Sequence, residues 1–154
     1  YKNNQMVKSD WVLHKSKWYY LEADGVMALG WKKLGADWYY LNSPNGDMRE
    51  GWVQLGNTWY YLNYSSGRMR TGWLQYKNNW YYLNESGAMH VGWKKVGGLW
   101  YYLKSPNGEM KTGWHDDGGG KWYYLNAPNG DMVTGTKTIG GTRYRFNSSG
   151  AWIR

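Results

Sequence analysis

Aromatic and polar residues alternate over short segments of this chain, and the segments recur along its length. In the segment 31–41, Trp, Tyr and Leu dominate, and Gly35-Ala36 lies near the centre. Side chains alternate between two faces along a β-strand, and a Gly-containing dipeptide between two such runs is typical of a hairpin turn. The segment therefore predicts a β-hairpin in which Trp31 pairs with Tyr40.

The two faces of this predicted hairpin differ in character. Trp31, Trp38 and Tyr40 share one face, and the opposite face carries Tyr39 and Leu41. We expect the Tyr39 and Leu41 positions to serve only the packing of one hairpin on another. A slip of one residue in the turn would exchange the two faces, so the choice of tyrosine depends on the turn assignment.

The hairpin pattern repeats every 20 or 21 residues. Each copy contains Trp-Tyr-Tyr-Leu and closes with Gly-x-Met, and its opening tryptophan is Trp11, Trp31, Trp52, Trp73, Trp93 or Trp114. Such a period indicates a repeat architecture, and because a lone hairpin is marginally stable, each copy must bury its faces against neighbours. We predict an all-β fold, a solenoid of stacked β-hairpins.

The pattern divides the chain into three parts. Residues 1–10 look like the tail of a preceding repeat, 11–135 hold six repeats, and 136–154 keep the spacing but lose the characteristic residues, as at Arg145. An atypical last repeat suits a solenoid cap. Because Tyr1 begins in the middle of the pattern, we expect the sequence to be a piece of a longer protein.

The aromatic composition points to a ligand. The chain has 13 Trp and 16 Tyr but one Phe, and both tryptophans are retained in all six repeats, whereas packing alone tolerates exchange among large apolar residues. Trp and Tyr walls with a Met form cages for quaternary ammonium groups such as choline. Flat aromatic rings also stack on sugars and on single-stranded bases. The residues alone leave all three ligand classes open.

Charge and the remaining residue types reduce the number of functions that the sequence is compatible with. The net charge of +8 suits either an ordinary solvated surface or a polyanionic partner. The sequence has no Cys and no apolar run near the roughly 18 residues of a membrane helix. Its three histidines, His14, His90 and His115, occupy unrelated repeat positions. With no recognisable catalytic set, phosphate loop or metal cluster, we predict a binding module without catalytic activity, metal or cofactor.

The combination of Gly-Trp, six residues, Trp-Tyr-Tyr-Leu, a turn, Gly-x-Met and a further Gly-Trp resembles the choline-binding repeat. That repeat occurs in surface proteins, wall hydrolases and phage endolysins of pneumococcus-like streptococci, and the resemblance covers 11–135. It implies a left-handed superhelix of hairpins, secreted and attached non-covalently to the cell wall. The implied partners are choline and phosphocholine on teichoic and lipoteichoic acids, with no nucleic acid and no membrane insertion.

The resemblance also implies choline sites between successive hairpins, each built from two Trp of one repeat and a Tyr and a Met of the next. The predicted sets are Trp11, Trp18, Tyr40 and Met48; Trp31, Trp38, Tyr61 and Met69; Trp52, Trp59, Tyr82 and Met89; Trp73, Trp80, Tyr102 and Met110; and Trp93, Trp100, Tyr124 and Met132. In the sixth repeat, Arg145 stands at the expected third wall, so Trp114 and Trp122 lack a partner unless Trp152 supplies one.

The end of the chain departs from this pattern. Residues 133–144 resemble the glucan-binding repeats of oral streptococcal glucosyltransferases and clostridial toxins. Binding of glucan or another polysaccharide through the same aromatic side chains is therefore the alternative function, and a purely structural solenoid is the third.

Overall fold

The computed structural model describes residues 5–154 and consists of short strands joined by turns. The strands are β1 (Asp10–His14), β2 (Lys17–Leu21), β3 (Gly30–Leu34), β4 (Asp37–Leu41), β5 (Gly51–Leu55), β6 (Thr58–Leu62), β7 (Gly72–Tyr76), β8 (Asn79–Leu83), β9 (Gly92–Val96), β10 (Leu99–Leu103), β11 (Gly113–Asp116), β12 (Trp122–Leu125), β13 (Gly135–Ile139), β14 (Thr142–Phe146) and β15 (Trp152–Ile153). Residues 5–154 contain no helix, and hence none that could span a membrane.

Consecutive strands pair as separate antiparallel hairpins, and β15 adds a third strand to the last one. This confirms the prediction of an all-β fold built from repeated hairpins. Residues 1–4 of the predicted N-terminal tail lie outside the described residues.

The predicted strand register is confirmed in the β3–β4 hairpin. Trp31 lies opposite Tyr40, and the turn falls at Gly35, whose φ of 61° is a conformation that glycine adopts without steric cost. In the hairpin of β7 and β8, the non-glycine residues Lys77 and Asn78 take the same positive φ region at 46° and 65°. The turn chemistry therefore sets which side chains share a face.

A single leucine from each of five hairpins forms the most buried part of the protein. These fully buried side chains are Leu41, Leu62, Leu83, Leu103 and Leu125, each with 0 % of its surface exposed. Phe146 takes the equivalent place in the last hairpin, at 3 %. Burying one such side chain contributes about 1.5–3 kcal/mol, so each of these positions stabilises the fold. The predicted packing role of the Leu41 position is confirmed.

The chain divides into two compact units. The first holds the described residues up to Gly72 together with Leu83–Ala88, and the second holds Trp73–Tyr82 together with Met89–Arg154. Within each unit, successive hairpins are joined by one recurring backbone hydrogen bond. The N–H of the methionine that follows one hairpin donates to the carbonyl of the second tryptophan of the hairpin before it. The donor–acceptor pairs are Met48–Trp18, Met69–Trp38, Met110–Trp80 and Met132–Trp100, at 2.7–2.8 Å.

Candidate functional site

Three open cavities of similar size lie between successive hairpins, each walled by two Trp, one Tyr and one Met. We call them aromatic cages and name each after its first tryptophan. The Trp11 cage has a volume of about 280 Å³ and is lined by Trp11, Trp18, Tyr39 and Met48; the Trp31 cage, of about 310 Å³, by Trp31, Trp38, Tyr60 and Met69; and the Trp73 cage, of about 330 Å³, by Trp73, Trp80, Tyr101 and Met110.

The walls of the Trp31 cage stand nearly perpendicular to one another. Trp31 meets Trp38 at 6.3 Å between ring centroids and 89° between planes, and it meets Tyr60 of the next hairpin at 5.0 Å and 69°. Trp38 is 38 % exposed, so its ring is accessible from solvent. Because Met69 donates its backbone N–H to the Trp38 carbonyl, the cage wall and the methionine are held together before any ligand arrives.

The third wall differs from the one expected from the sequence. Tyr39, Tyr60 and Tyr101 line the three cages, in place of the predicted Tyr40, Tyr61 and Tyr102. The predicted alternation within a hairpin is correct, since Tyr40 lies 5.2 Å from Trp31 of its own hairpin. The next hairpin, however, presents its opposite face to the cage. The Tyr39 position therefore lines the cage instead of serving packing alone.

Two of the second tyrosines, Tyr20 and Tyr82, lie against basic side chains of the chain itself. Lys32 Nζ lies 4.9 Å from the centroid of the Tyr20 ring, and Lys94 Nζ lies 5.3 Å from that of Tyr82. In each pair the basic residue directly follows the opening tryptophan of the next hairpin. In the sixth repeat the same position is His. A basic residue there is a sequence signal for an internal contact of the preceding second tyrosine, but the third and fourth repeats have Val53 and Leu74 at that position.

The remaining predicted sets are brought together to different extents. Trp93 lies 4.9 Å from Tyr123, and Met132 donates its N–H to the Trp100 carbonyl, as in the other cages. The predicted Tyr124 lies instead against Trp114 of its own hairpin, at 5.3 Å.

In the third predicted set, Trp52 and Trp59 belong to the first unit and face each other at 6.4 Å and 83°. Tyr82 and Met89 belong to the second unit, where Tyr82 lies 5.2 Å from Trp73.

A sixth aromatic set occurs in the last hairpins. Trp114 lies 5.0 Å from Tyr144, 6.4 Å from Trp122 and 5.8 Å from Trp152. The prediction that Arg145 removes the third wall is corrected, because the wall comes from the first position of the Tyr-Tyr pair, where Tyr144 is retained. Trp152 pairs with Phe146 in the same way as Met132 pairs with Leu125, so it occupies the methionine position.

A histidine lies beside the Trp93 set. The His115 ring packs on Tyr102 at 3.8 Å and lies 5.5 Å from Trp93, and its buried Nε2 makes no hydrogen bond. Burial lowers the pKa of His115 below its usual value, and the nearby charge of Lys111 acts in the same direction, against the opposing effect of two aspartates. The neutral ring is therefore favoured here.

The rim of each cage is formed by a turn two hairpins further along the chain, a contact that the repeat pattern does not predict. Ser65, Ser66 and Arg68 line the Trp11 cage, Glu85 and Ser86 line the Trp31 cage, and Pro128 and Asn129 line the Trp73 cage. The aromatic walls thus repeat, whereas the charge at the rim changes from one cage to the next.

The family model of the choline-binding repeat matches residues 7–50, 49–91 and 90–136. The chain belongs to the choline-binding repeat family. No curated protein sequence matches this choline-binding repeat protein significantly.

Solved structures of Streptococcus pneumoniae proteins share the fold and much of the sequence. CbpJ from strain TIGR4 has 46 % identity and a TM-score of 0.85, covering 94 % of this chain and 48 % of CbpJ. Choline binding protein F has 42 % identity and a TM-score of 0.83, covering 94 % and 47 %. A complex of CbpF with ipratropium has 44 % identity and a TM-score of 0.80, covering 90 % and 42 %. The choline-binding repeat chain thus spans about half the length of these relatives.

Proposed function

We propose that this choline-binding repeat chain is a non-catalytic module that attaches to the bacterial cell wall. Its ligands are choline and phosphocholine groups of teichoic and lipoteichoic acids, and it acts outside the cell through non-covalent contacts, without nucleic acid or membrane insertion. The observation that carries the proposal is the recurrence of one cage, with two Trp, one Tyr and one Met, in the Trp11, Trp31 and Trp73 cages.

The chemistry of the cage suits a quaternary ammonium cation. Such a cation cannot donate conventional hydrogen bonds, so it is recognised by the negative faces of aromatic rings, and each cation–π contact contributes about 0.5–2 kcal/mol. The polarizable sulfur of Met69 or Met110 adds dispersion contacts without a charge. Because the ligand is small and the cage open, we expect a dissociation constant on the order of millimolar for one site, or about −4 kcal/mol.

The comparison with a ligand-bound relative supports this assignment. The crystal structure of CbpF in complex with ipratropium was obtained by soaking. Ipratropium is a quaternary ammonium compound. The family to which this chain belongs is defined by choline-binding repeats, which match across residues 7–136. A cation of the same class is therefore the ligand that we propose for the cages of this chain.

The residues that we propose to bind choline follow the linings of the cages. The proposed sets are Trp11, Trp18, Tyr39 and Met48; Trp31, Trp38, Tyr60 and Met69; Trp73, Trp80, Tyr101 and Met110; and Trp93, Trp100, Tyr123 and Met132. Trp52 and Trp59 stay proposed members of a further set, as the sequence predicts. The set of Trp114, Trp122, Tyr144 and Trp152 is proposed as a variant site with an indole in place of methionine.

Retention on a choline-bearing resin tests the proposed function. We expect the protein to be retained and to be released by millimolar free choline, whereas soluble glucan leaves it bound. Trp80→Ala removes a wall that is 39 % exposed, so the fold survives and retention falls modestly because the other cages remain. Elution by glucan and not by choline would favour the polysaccharide-binding alternative. Loss of all retention in the folded variant would contradict separate sites.

A further inference from the structure

The Trp11, Trp31 and Trp73 cages share their aromatic walls but differ in the charge at their rims. The Trp11 cage has the guanidinium of Arg68, the Trp31 cage has the carboxylate of Glu85, and the Trp73 cage has the uncharged Pro128 and Asn129. A ligand that consists of the ammonium group alone meets the same rings in all three. A ligand that extends beyond the ammonium group meets a different charge at each rim.

Arg68 is held at the rim of the Trp11 cage by two contacts. Its Nε lies 3.3 Å from Asp37 Oδ2, and its guanidinium donates a hydrogen bond to the hydroxyl of Tyr39, which is itself a cage wall. The side chain remains 58 % exposed, so donors of the guanidinium can reach a ligand. An arginine positioned in this way matches the oxygen atoms of a phosphate group.

Glu85 has the opposite effect at the Trp31 cage. Its carboxylate attracts an ammonium group and repels a phosphate, and its position in the turn beside Ser86 keeps it exposed to solvent. Choline carries one positive charge, whereas free phosphocholine adds a phosphate monoester that bears close to two negative charges above its second pKa of about 6. A phosphocholine group attached to a polymer is a phosphodiester and keeps one of these negative charges. A positive rim therefore favours phosphocholine, and a negative rim favours choline.

We propose that the cages differ in ligand preference: the Trp11 cage is selective for phosphocholine through Arg68, the Trp31 cage favours choline without its phosphate through Glu85, and the Trp73 cage is intermediate. This inference rests on the proposed function, because it assumes that the aromatic walls hold the ammonium group. Since the rims are exposed and Arg68 is paired with Asp37, each rim changes the preference by a modest factor of about two to five.

The methionines allow each cage to be observed separately. Met48, Met69 and Met110 belong to the Trp11, Trp31 and Trp73 cages respectively, so their methyl signals in a protein labelled with ¹³C at the methionine methyl group report on one cage each. Titration with choline and with phosphocholine at pH 8 yields a ratio of the two dissociation constants for every cage. We expect phosphocholine to be most favoured in the Trp11 cage and least favoured in the Trp31 cage.

Two variants and an internal control test the assignment to the rims. Arg68→Gln retains hydrogen-bonding groups but removes the charge. The ratio of the choline and phosphocholine dissociation constants in the Trp11 cage should therefore move to the value in the Trp73 cage. Glu85→Gln should move the ratio of the Trp31 cage towards the same value, while the Trp73 cage is unchanged in both variants. Raising the salt concentration to 0.5 M, at a Debye length of about 4 Å, should reduce all differences.

The outcomes separate this inference from the proposed function. If choline shifts none of the three methyl signals, the proposed function fails. If all three respond and their ratios are equal, the cages bind choline but the rims do not select, and this inference is overturned.

Phosphocholine also occurs as a lipid headgroup, so wild type and Arg68→Gln are compared on phosphocholine-bearing walls and on phosphatidylcholine vesicles. We expect weaker wall retention of the variant and no binding of either protein to vesicles. Vesicle binding that depends on Arg68 would overturn the assignment of the ligand to the wall.

Discussion

Trp73 and Tyr101 lie on consecutive hairpins, with ring centroids 4.9 Å apart and ring planes at 72°. The neighbouring Tyr102 lies on the other face of the same strand, where it contacts Trp93 at 5.2 Å and His115 at 3.8 Å. Two adjacent tyrosines in one strand therefore have different tasks. The first closes a cage of the preceding hairpin, and the second packs inside its own hairpin and against the following one.

This division predicts different effects for matched substitutions of the two tyrosines. Tyr101→Leu removes a ring face from the Trp73 cage, so choline binding observed at Met110 should weaken by about 0.5–2 kcal/mol, or roughly 2- to 30-fold, with little loss of stability. Tyr102→Leu should lower the thermal unfolding midpoint while leaving binding at Met110 unchanged. Methyl titrations and thermal denaturation of both variants are the measurements. If Tyr102→Leu weakened binding at Met110 and Tyr101→Leu lowered only the unfolding midpoint, Tyr102 would be the cage wall instead.

A second prediction concerns the contact between a turn glycine and the methionine of the preceding repeat. A Cβ added to Gly46 would collide with the sulfur of Met27, and φ at Gly46 is 75°. Gly35 has a similar φ of 61° but open space around the same position. Gly35→Ala should cost about 1–2 kcal/mol through backbone strain, and Gly46→Ala about 1–3 kcal/mol more through the collision.

Chemical denaturation of both glycine variants measures this difference. Truncation by Met27→Ala in the Gly46→Ala background should relieve part of the additional loss, which a double-mutant cycle detects as coupling between the two positions. Equal destabilisation by Gly35→Ala and Gly46→Ala would mean that the contact with Met27 adds nothing to the loss of stability.

The partly buried His115 predicts a dependence of stability on pH. Burial lowers the pKa of His115 in the folded state below the ordinary 6.5, and Lys111 adds to this, so the unfolded chain takes up a proton first as the pH falls. The stability that the neutral His115 ring contributes is fully present above a pH of about 6.5. It is lost as the pH falls through the folded-state pKa. The substitution His115→Leu introduces the residue that Leu74 supplies at the equivalent repeat position, and it should reduce the loss of stability between pH 7.5 and 5.

Denaturation curves at several pH values test the histidine prediction. His14→Leu is the matched control for removing a histidine, because His14 is exposed in the first hairpin. An identical pH dependence in wild type and His115→Leu would contradict the role assigned to His115.

The last prediction is that attachment to the wall is collective. A teichoic acid presents many phosphocholine groups on one chain, so each further contact is intramolecular and avidity can exceed single-site affinity by about 10²–10⁴. Proteins shortened from the N-terminus to begin before Trp52 or before Trp73 should lose wall retention much more than choline binding. Wall sedimentation and calorimetry with free choline provide the two measurements. Proportional losses in both would indicate a simple sum of independent sites.

Much of this protein was determined by its sequence alone, because the decisive information is local. The alternation of side chains and the Gly35 turn determine that Trp31 lies opposite Tyr40 within one hairpin. The period of 20 or 21 residues identifies the repeating unit, and the retained tryptophans and methionines identify three of the four members of each cage. These relationships span few residues, and the strand period of two converts sequence position directly into a face.

Only the tertiary structure decided which face of the next hairpin completes a cage. Tyr39, instead of Tyr40, reaches Trp11, because the hairpins pack with unlike faces together, and no periodicity within a strand specifies that packing. The rim residues Arg68 and Glu85 were equally hidden, since each lies in a turn that reaches a cage two hairpins away. The repeat therefore encodes a common aromatic wall, and contacts between distant repeats make the individual cages different.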